Sequence, residues 1–262
     1  MIRVSFLLVL FSILVTGCSQ TKKIISSSTK ISVLSYNIHI GNPPTKPKGF
    51  IDLDTIAATI RTSGADLVAV QELDSITKRS NGVYQLKVLA EKLNMYYHFE
   101  KTISHDGGSY GIGILSRYPL EEVTAYKLPQ VDGIKSEPRK VLLAKVVIQG
   151  KPIYFGCTHV DFTKQVNPVQ MKELVRVLGA LPEIPVIIGG DFNATPEMEG
   201  MQLMLAEYQN ASVKNDFTIP VLHPTKKIDF IFYKGLSFVQ DSVMTSHNYG
   251  SDHLPVWAAF KH

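Results

Sequence analysis

Cysteine is almost absent: the 262 residues contain two, Cys18 and Cys157, too few for a disulfide framework. Cys157 lies in the apolar run 153–158 and reads as a small core side chain, not as a nucleophile. A catalytic serine elbow is missing too, which excludes the common covalent hydrolase designs. Charge of one sign is not concentrated anywhere. The 27 basic and 23 acidic residues are interspersed and leave a net charge of +4. Such a chain is not held on nucleic acid chiefly by a basic stripe, yet it tolerates an anionic substrate. No Pro/Ser-rich linker and no internal repeat interrupts the middle. With 45% hydrophobic residues the chain can bury one large core, so a single main domain is expected.

The first residues differ from the rest. Met1-Ile2-Arg3 is a short basic start, Val4 to Val15 is almost wholly apolar, and Thr16-Gly17 are small. The run is short for a membrane span and reads as an export signal. Its ending, Leu14-Val15-Thr16-Gly17-Cys18, resembles a bacterial lipoprotein box, in which the cysteine is lipidated and becomes the new N-terminus. The expectation is therefore a signal peptide over 1–17, lipid attachment at Cys18, and a Ser/Thr/Lys-rich tether over 18–30. A main domain over 31–262 would then face outward from a membrane of a bacterial cell envelope. Lipidation of Cys18 leaves Cys157 without a disulfide partner despite export.

Along the main domain, buried strands alternate with amphipathic helices. The segment 31–39 alternates apolar and polar residues and ends by presenting Asn37 and His39. Leu53, Ile56, Ala57 and Ile60 recur at helical spacing, and Gly64 stops that helix. The run 66–72 is a buried strand ending in Glu72, followed by a second helix over 84–93. Further strands are expected over 96–99, 112–115, 141–148 and 153–157, the last two joined by a hairpin at Gln149-Gly150-Lys151-Pro152. His159 follows. A third helix carries Met171, Leu174, Val175, Leu178 and Leu181 on one face and leads into Pro185-Val-Ile-Ile-Gly-Gly-Asp-Phe-Asn193. There the two glycines are expected to turn tightly and leave room for a close approach, with Asp191 and Asn193 offered together. Asp229 opens a strand at 228–233, residues 236–243 are its neighbour, and Asp252-His253 precede the last strand.

Asn37, Glu72, His159, Asp191, Asn193, Asp229, Asp252 and His253 thus all fall at strand ends or on the first residues of loops. That is where α/β proteins assemble sites from distant parts of the chain. Any one of these residues is an ordinary cap or turn residue; eight at one structural address are not. Glu72, Asp252 and Asn37 offer oxygen ligands suited to Mg²⁺, Mn²⁺ or Ca²⁺ and unsuited to Zn²⁺. Such an ion neutralises a phosphate oxygen and the charge on a departing oxygen. A histidine beside an acid can take a proton from water. Together they describe metal-assisted hydrolysis of a phosphate ester.

The blocks LSYNIH, VQELD, GGSYGIGILSRYP, THVDF, GGDFN, KIDFIFY and SDHLPV, in this order, resemble the endonuclease/exonuclease/phosphatase superfamily, the relatives of DNase I. The resemblance runs from about Ile31 to the C-terminus. It implies a four-layer α/β sandwich, two mixed β-sheets flanked by helices. It also implies residue roles. Glu72 is the metal carboxylate, assisted by Asn37 and Asp252. Asp191 and Asn193 orient the attacking water and the phosphate, Asp229 pairs with His253, and His159 contacts the phosphate. Tyr110 and Arg139 match weaker positions near the phosphate. Either Asp191 or His253 takes the proton from water. One departure is visible: the acid that supports the second histidine in the DNase branch is replaced here by Gly111 and Ile112.

The expected activity is a monomeric, metal-dependent phosphodiesterase acting on nucleic acid or on a small or lipid phosphodiester. The alternatives are a phosphomonoesterase on the same scaffold and a surface binding protein without catalysis. Lys78-Arg79, Arg139-Lys140 and Lys226-Lys227 flank the motif blocks, either as contacts to an anionic substrate or as solvated loop charges.

Overall fold

The computed structural model describes residues 1–2, 29–212, 216–245 and 249–262. The expected export signal, Cys18 and the tether up to residue 28 lie outside these residues. The domain end of the expected tether is shorter than 18–30. Thr29 is buried and donates its hydroxyl to Gln149 Oε1 at 2.9 Å, and Lys30 already pairs with Lys261.

In chain order the first half forms β1 (Lys30–Asn37), α1 (Leu53–Ser63), β2 (Leu67–Ser75), α2 (Gln85–Leu93), β3 (Tyr96–His105) and β4 (Gly108–Ser116). The middle adds β5 (Glu121–Leu128), β6 (Arg139–Ile148), β7 (Lys151–His159), α3 (Asn167–Gly179) and β8 (Val186–Asp191). The remainder is α4 (Glu199–Glu207), β9 (Gln209–Asn210), β10 (Asp229–Lys234), β11 (Ser237–Val243) and β12 (Val256–Lys261). These strands make two mixed six-stranded sheets, ordered β11-β12-β1-β2-β4-β3 and β5-β6-β7-β8-β10-β9. In each, one parallel pair sits among antiparallel neighbours: β1 with β2, and β7 with β8.

The inward faces of the two sheets meet in one dry layer. Ile31, Val33, Leu67, Ala69, Ile112 and Ile114 pack there against Leu142, Ala144, Phe155, Cys157, Ile187 and Ile231. Side chains that alternate along a strand reach both faces, and the outward apolar set needs its own cover. Helices α1 and α2 cover Leu34, Val68 and Val70, while α3 and α4 cover Leu143, Ile188 and Phe232. The layers are therefore helix, sheet, sheet, helix, as the resemblance implies. The first helix starts where Asp52 accepts from Thr55 N at 2.9 Å and stops at Gly64, whose φ of 63° suits glycine.

The glycines before Asp191 do not make a turn. Gly189 and Gly190 lie inside β8, and the close approach they permit is by protein. A Cβ on Gly189 would stand 3.0 Å from both Ala69 and Ser35 of the facing sheet. One on Gly190 would stand 2.7 Å from Thr158 O. These contacts let the ends of β1, β2, β7 and β8 come together at one edge of the sandwich.

Candidate active site

Strand register brings the expected residues into one place. His159 pairs with Asp191 across β7–β8, and Asp191 pairs with Asp229 across β8–β10. Three residues far apart in sequence thus stand side by side at the end of one sheet. Asn37 ends β1 in the other sheet, and its Nδ2 donates to Glu72 Oε1 at 3.1 Å and to Asp191 Oδ2 at 3.0 Å. One amide therefore ties the two sheets together at the site. Ser251 holds Asn37 from behind, donating its hydroxyl to the Asn37 carbonyl at 2.7 Å, and the turn it belongs to delivers Asp252 and His253.

His253 is buried, and its Nδ1 donates to Asp229 Oδ2 at 2.9 Å. Its Nε2 points the other way, 3.9 Å from Asp191 Oδ2 and 4.0 Å from Asp252 Oδ1. Burial disfavours a charged imidazole, but the Asp229, Asp191 and Asp252 carboxylates outweigh it and push His253 up to about 10. Asp191 is pushed up to about 7, first by burial and then by the Asp229 charge, against the pull of His253 and the Asn193 N–H. The expected Asp229–His253 pair is therefore present, with Asp191 facing the free nitrogen of the imidazole.

His159 has an unexpected partner. In place of an acid, Arg139 Nη1 lies 3.0 Å from Nδ1. A guanidinium only donates, so Nδ1 accepts and the proton of a neutral ring sits on Nε2. That nitrogen faces Asp191 Oδ2, which can accept its proton, at 3.5 Å, while Asn193 Nδ2, itself a donor bonded to the Val160 carbonyl at 3.0 Å, stands 3.1 Å away. Burial and the Arg139 charge hold His159 well below the usual histidine range. His159 is thus a neutral N–H donor. Arg139 is itself buried and reaches Glu137 at 3.1 Å through Nη2.

Four of the ten left-handed non-glycine residues among the described residues fall here. Glu72 has φ 57°, at the point where the β2–β4 register slips between Val70 and Leu73. A bulge re-aims one side chain without breaking the strand, and here it turns the Glu72 carboxylate into the site. His39, Ile40 and Asn193 also have φ of 43°, 51° and 48°. Left-handed conformations at non-glycine residues cost on the order of 1 kcal/mol each and persist where the surroundings enforce them. Sequence periodicity carries no sign of such a bulge.

Two donor groups could hold a divalent ion. Among the described residues Asp191, Asp229 and His253 place ligand atoms within 4.8 Å of one another. Of the expected set, Asn37 donates to Glu72 and accepts from His39 N through Oδ1 at 3.0 Å, and Asp252 follows Ser251, which bonds the Asn37 carbonyl. Asp252 Oδ1 lies 2.9 Å from His39 Nδ1. Burial would raise the Asp252 carboxyl, but contact with His39 and the His253 charge lower it, leaving an ionised oxygen ligand. His253 occupies Asp229 Oδ2 but leaves the buried Oδ1 without a partner, whereas Glu72 and Asp252 remain partly open to solvent. Two carboxylates partly open to solvent suit an ion that keeps several waters.

Glu72 also lines a small cleft of about 150 Å³ together with His39, Tyr110, Arg79, His105 and Glu137. Tyr110, in the cleft, is in side-chain contact with Arg139, which also reaches His159. Two contributors lie outside the eight strand-end residues, His39, presented just past the end of β1, and Arg79, one of the basic residues flanking the motif blocks. The signal for His39 was its position two residues beyond Asn37. Cys157 is fully buried and pushed up to about 12 by that burial, which confirms it as core.

No curated protein sequence matches this chain. Among solved structures, it is similar to an endonuclease/exonuclease/phosphatase family protein from Bacteroides thetaiotaomicron at 19% identity and TM-score 0.75, covering 90% of this chain and 98% of that one. The Bacteroides thetaiotaomicron mannosyl-6-phosphatase Bt3783 is 19% identical with TM-score 0.73, covering 87% and 98%. The human Nocturnin catalytic domain is 21% identical with TM-score 0.69, covering 88% and 94%. At these identities the likeness establishes the fold. The profile of the Endonuclease/Exonuclease/phosphatase family matches residues 34–253, and the chain belongs to that family.

Proposed function

We propose that this protein hydrolyses phosphodiester bonds of small or short substrates, using water as the nucleophile and a divalent cation as cofactor. The carrying observation is the buried Asp229–His253 pair aimed at Asp191, separated only by Asn37 from the Glu72 carboxylate. Asp191 would position and deprotonate the water, while His253 beside it, held protonated by Asp229, would donate to and stabilise the charge that develops. Asn193 and the neutral His159 would donate to the non-bridging oxygens. Glu72, with Asn37 and Asp252, would hold Mg²⁺ or Mn²⁺. The bound cation would supply Lewis-acid neutralisation of the phosphate and of the departing oxygen.

The scattered charges disfavour a long nucleic acid ligand. A protein neutralising Z phosphates shows a salt slope of about −0.9Z, and a grip on the scissile phosphate with one or two neighbours gives Z of roughly 1–3. The test is an assay with Mg²⁺ or Mn²⁺, and with EDTA, on plasmid DNA, RNA, an aryl phosphodiester, an aryl phosphomonoester and phospholipids. Turnover of the small diester that persists at moderate salt and stops in EDTA supports the reading. Turnover of monoesters alone would place the protein with the phosphatases, as the fold shared with a mannosyl-6-phosphatase allows.

A further inference from the structure

Arg79 stands out because more is built to hold it than an exposed arginine needs. Its Nε and Nη2 donate to the two oxygens of Asp74, each at 2.8 Å, and Asp74 is fully buried. Thr77 Oγ1 donates to the same carboxylate at 2.7 Å. The turn carrying Arg79 is pinned to the β3–β4 hairpin, since Arg79 N donates to Asp106 Oδ2 at 2.7 Å. The guanidinium carbon lies 5.4 Å from the centroid of the Tyr110 ring. Held on three sides, the side chain still keeps 35% of its surface exposed. Its Nη1 has no hydrogen-bond partner among the described residues, and it lines the same cleft as Glu72. A guanidinium that served only to neutralise Asp74 would not need to face a cleft.

The position of that cleft says what it would receive. In a phosphoryl displacement the attacking and leaving oxygens lie roughly in line. Asn37 Nδ2 bridges Asp191, which is beside His253, and Glu72, which opens onto the cleft. An alcohol departing on the Glu72 side of the phosphate, away from Asp191, enters the cleft. Its volume of about 150 Å³ admits a compact group and not a polymer.

We infer that Arg79 is a specificity-determining residue that binds an anionic oxygen on the leaving group, so that preferred substrates carry a second negative charge on a compact alcohol beside the scissile phosphate. This rests on the hydrolytic reading above. Arginine suits the role because its fork is pre-oriented by Asp74, and little side-chain freedom is lost on binding.

The test uses matched aryl methyl phosphodiesters whose nitrophenol leaving groups are uncharged, carboxylated or phosphorylated. Wild type should prefer the anionic members in kcat/KM, mainly through KM, and the larger of the two preferences identifies carboxylate or phosphate as the fitting group. A hydrogen bond to a charged group is worth roughly a ten- to hundred-fold effect. Arg79→Gln should remove about that much of the preference, and Arg79→Lys, which keeps the charge without the fork, should retain part of it. Thermal melts identify any variant that has lost its fold through Asp74; Arg79→Lys then carries the comparison. Equal losses on all three substrates, or a wild type without preference, overturn the inference and leave the hydrolytic reading intact. No turnover of any member overturns that reading and this inference with it.

Discussion

Replacing Asp229 by Asn tests the electrostatics of the site through stability, independently of any substrate. In the folded protein His253 is held up to about 10, whereas an ordinary histidine titrates at 6.5. A group raised in this way stabilises the fold fully below its unfolded value, and that stabilisation is lost as pH rises through its folded value. Between about pH 7 and about pH 8.5 folded His253 keeps its proton while the unfolded chain has released it. The slope is about 1.36 kcal/mol per pH unit, so the wild type should lose about 2 kcal/mol over that interval. Asp191, raised from 3.8 to about 7, acts with the same sign at lower pH. Cys157 and Tyr36, whose ordinary values are 9.0 and 10.0, act above the interval. His39 is raised by contact with Asp252 and contributes alike to wild type and variant. Urea denaturation of EDTA-treated protein across the interval measures the slope. In Asp229→Asn the amide no longer supports the imidazolium, and less than half of the slope should remain. An unchanged slope would refute the claim that Asp229 holds the charge on His253.

The same pair makes a catalytic prediction: His253→Ala and Asp229→Asn should each lower kcat on the order of 10²-fold or more. The double variant should lose little beyond the worse single, because residues acting as a unit are non-additive; multiplicative losses would indicate separate roles. Glu72→Gln keeps shape but removes charge, so it should raise the Mg²⁺ concentration for half-maximal rate, and an unchanged requirement would shift the ion to Asp191, Asp229 and His253. Gly190→Ala places a Cβ against the Thr158 carbonyl and should cost roughly 1–3 kcal/mol by thermal or urea denaturation; a neutral result would refute the packing account of that glycine.

Periodicity and polar residues at strand ends made much of this legible in sequence. The parallel and antiparallel neighbours of Asp191 follow from where Asp229 and His159 sit relative to their strands, and the hairpin at Gln149-Gly150 formed as its residues suggest. Other features escaped for physical reasons. The exposed edge strand β5 has little apolar alternation, with Glu121, Glu122, Thr124 and Lys127 along it. The short helix α4 shows too weak a stripe to register beside its neighbours. Both glycines of the Gly-Gly-Asp-Phe-Asn motif read as a turn, because a need for room looks the same in sequence whether a ligand or a facing sheet fills it. The Arg139–His159 contact depends on strand register between β6 and β7, which composition does not encode. Where the DNase-like pattern lacks its acid, the fold supplies a cation instead.

The ends of the domain lie together and away from the chemistry. His262 N donates to Thr29 O at 2.9 Å, and Lys30 opposes Lys261, at the start of the strand whose other end is Asn37. Eight residues at about 3.3 Å each put roughly 26 Å of strand between handle and working face. A tag or solid support attached at either end would leave the catalytic edge open.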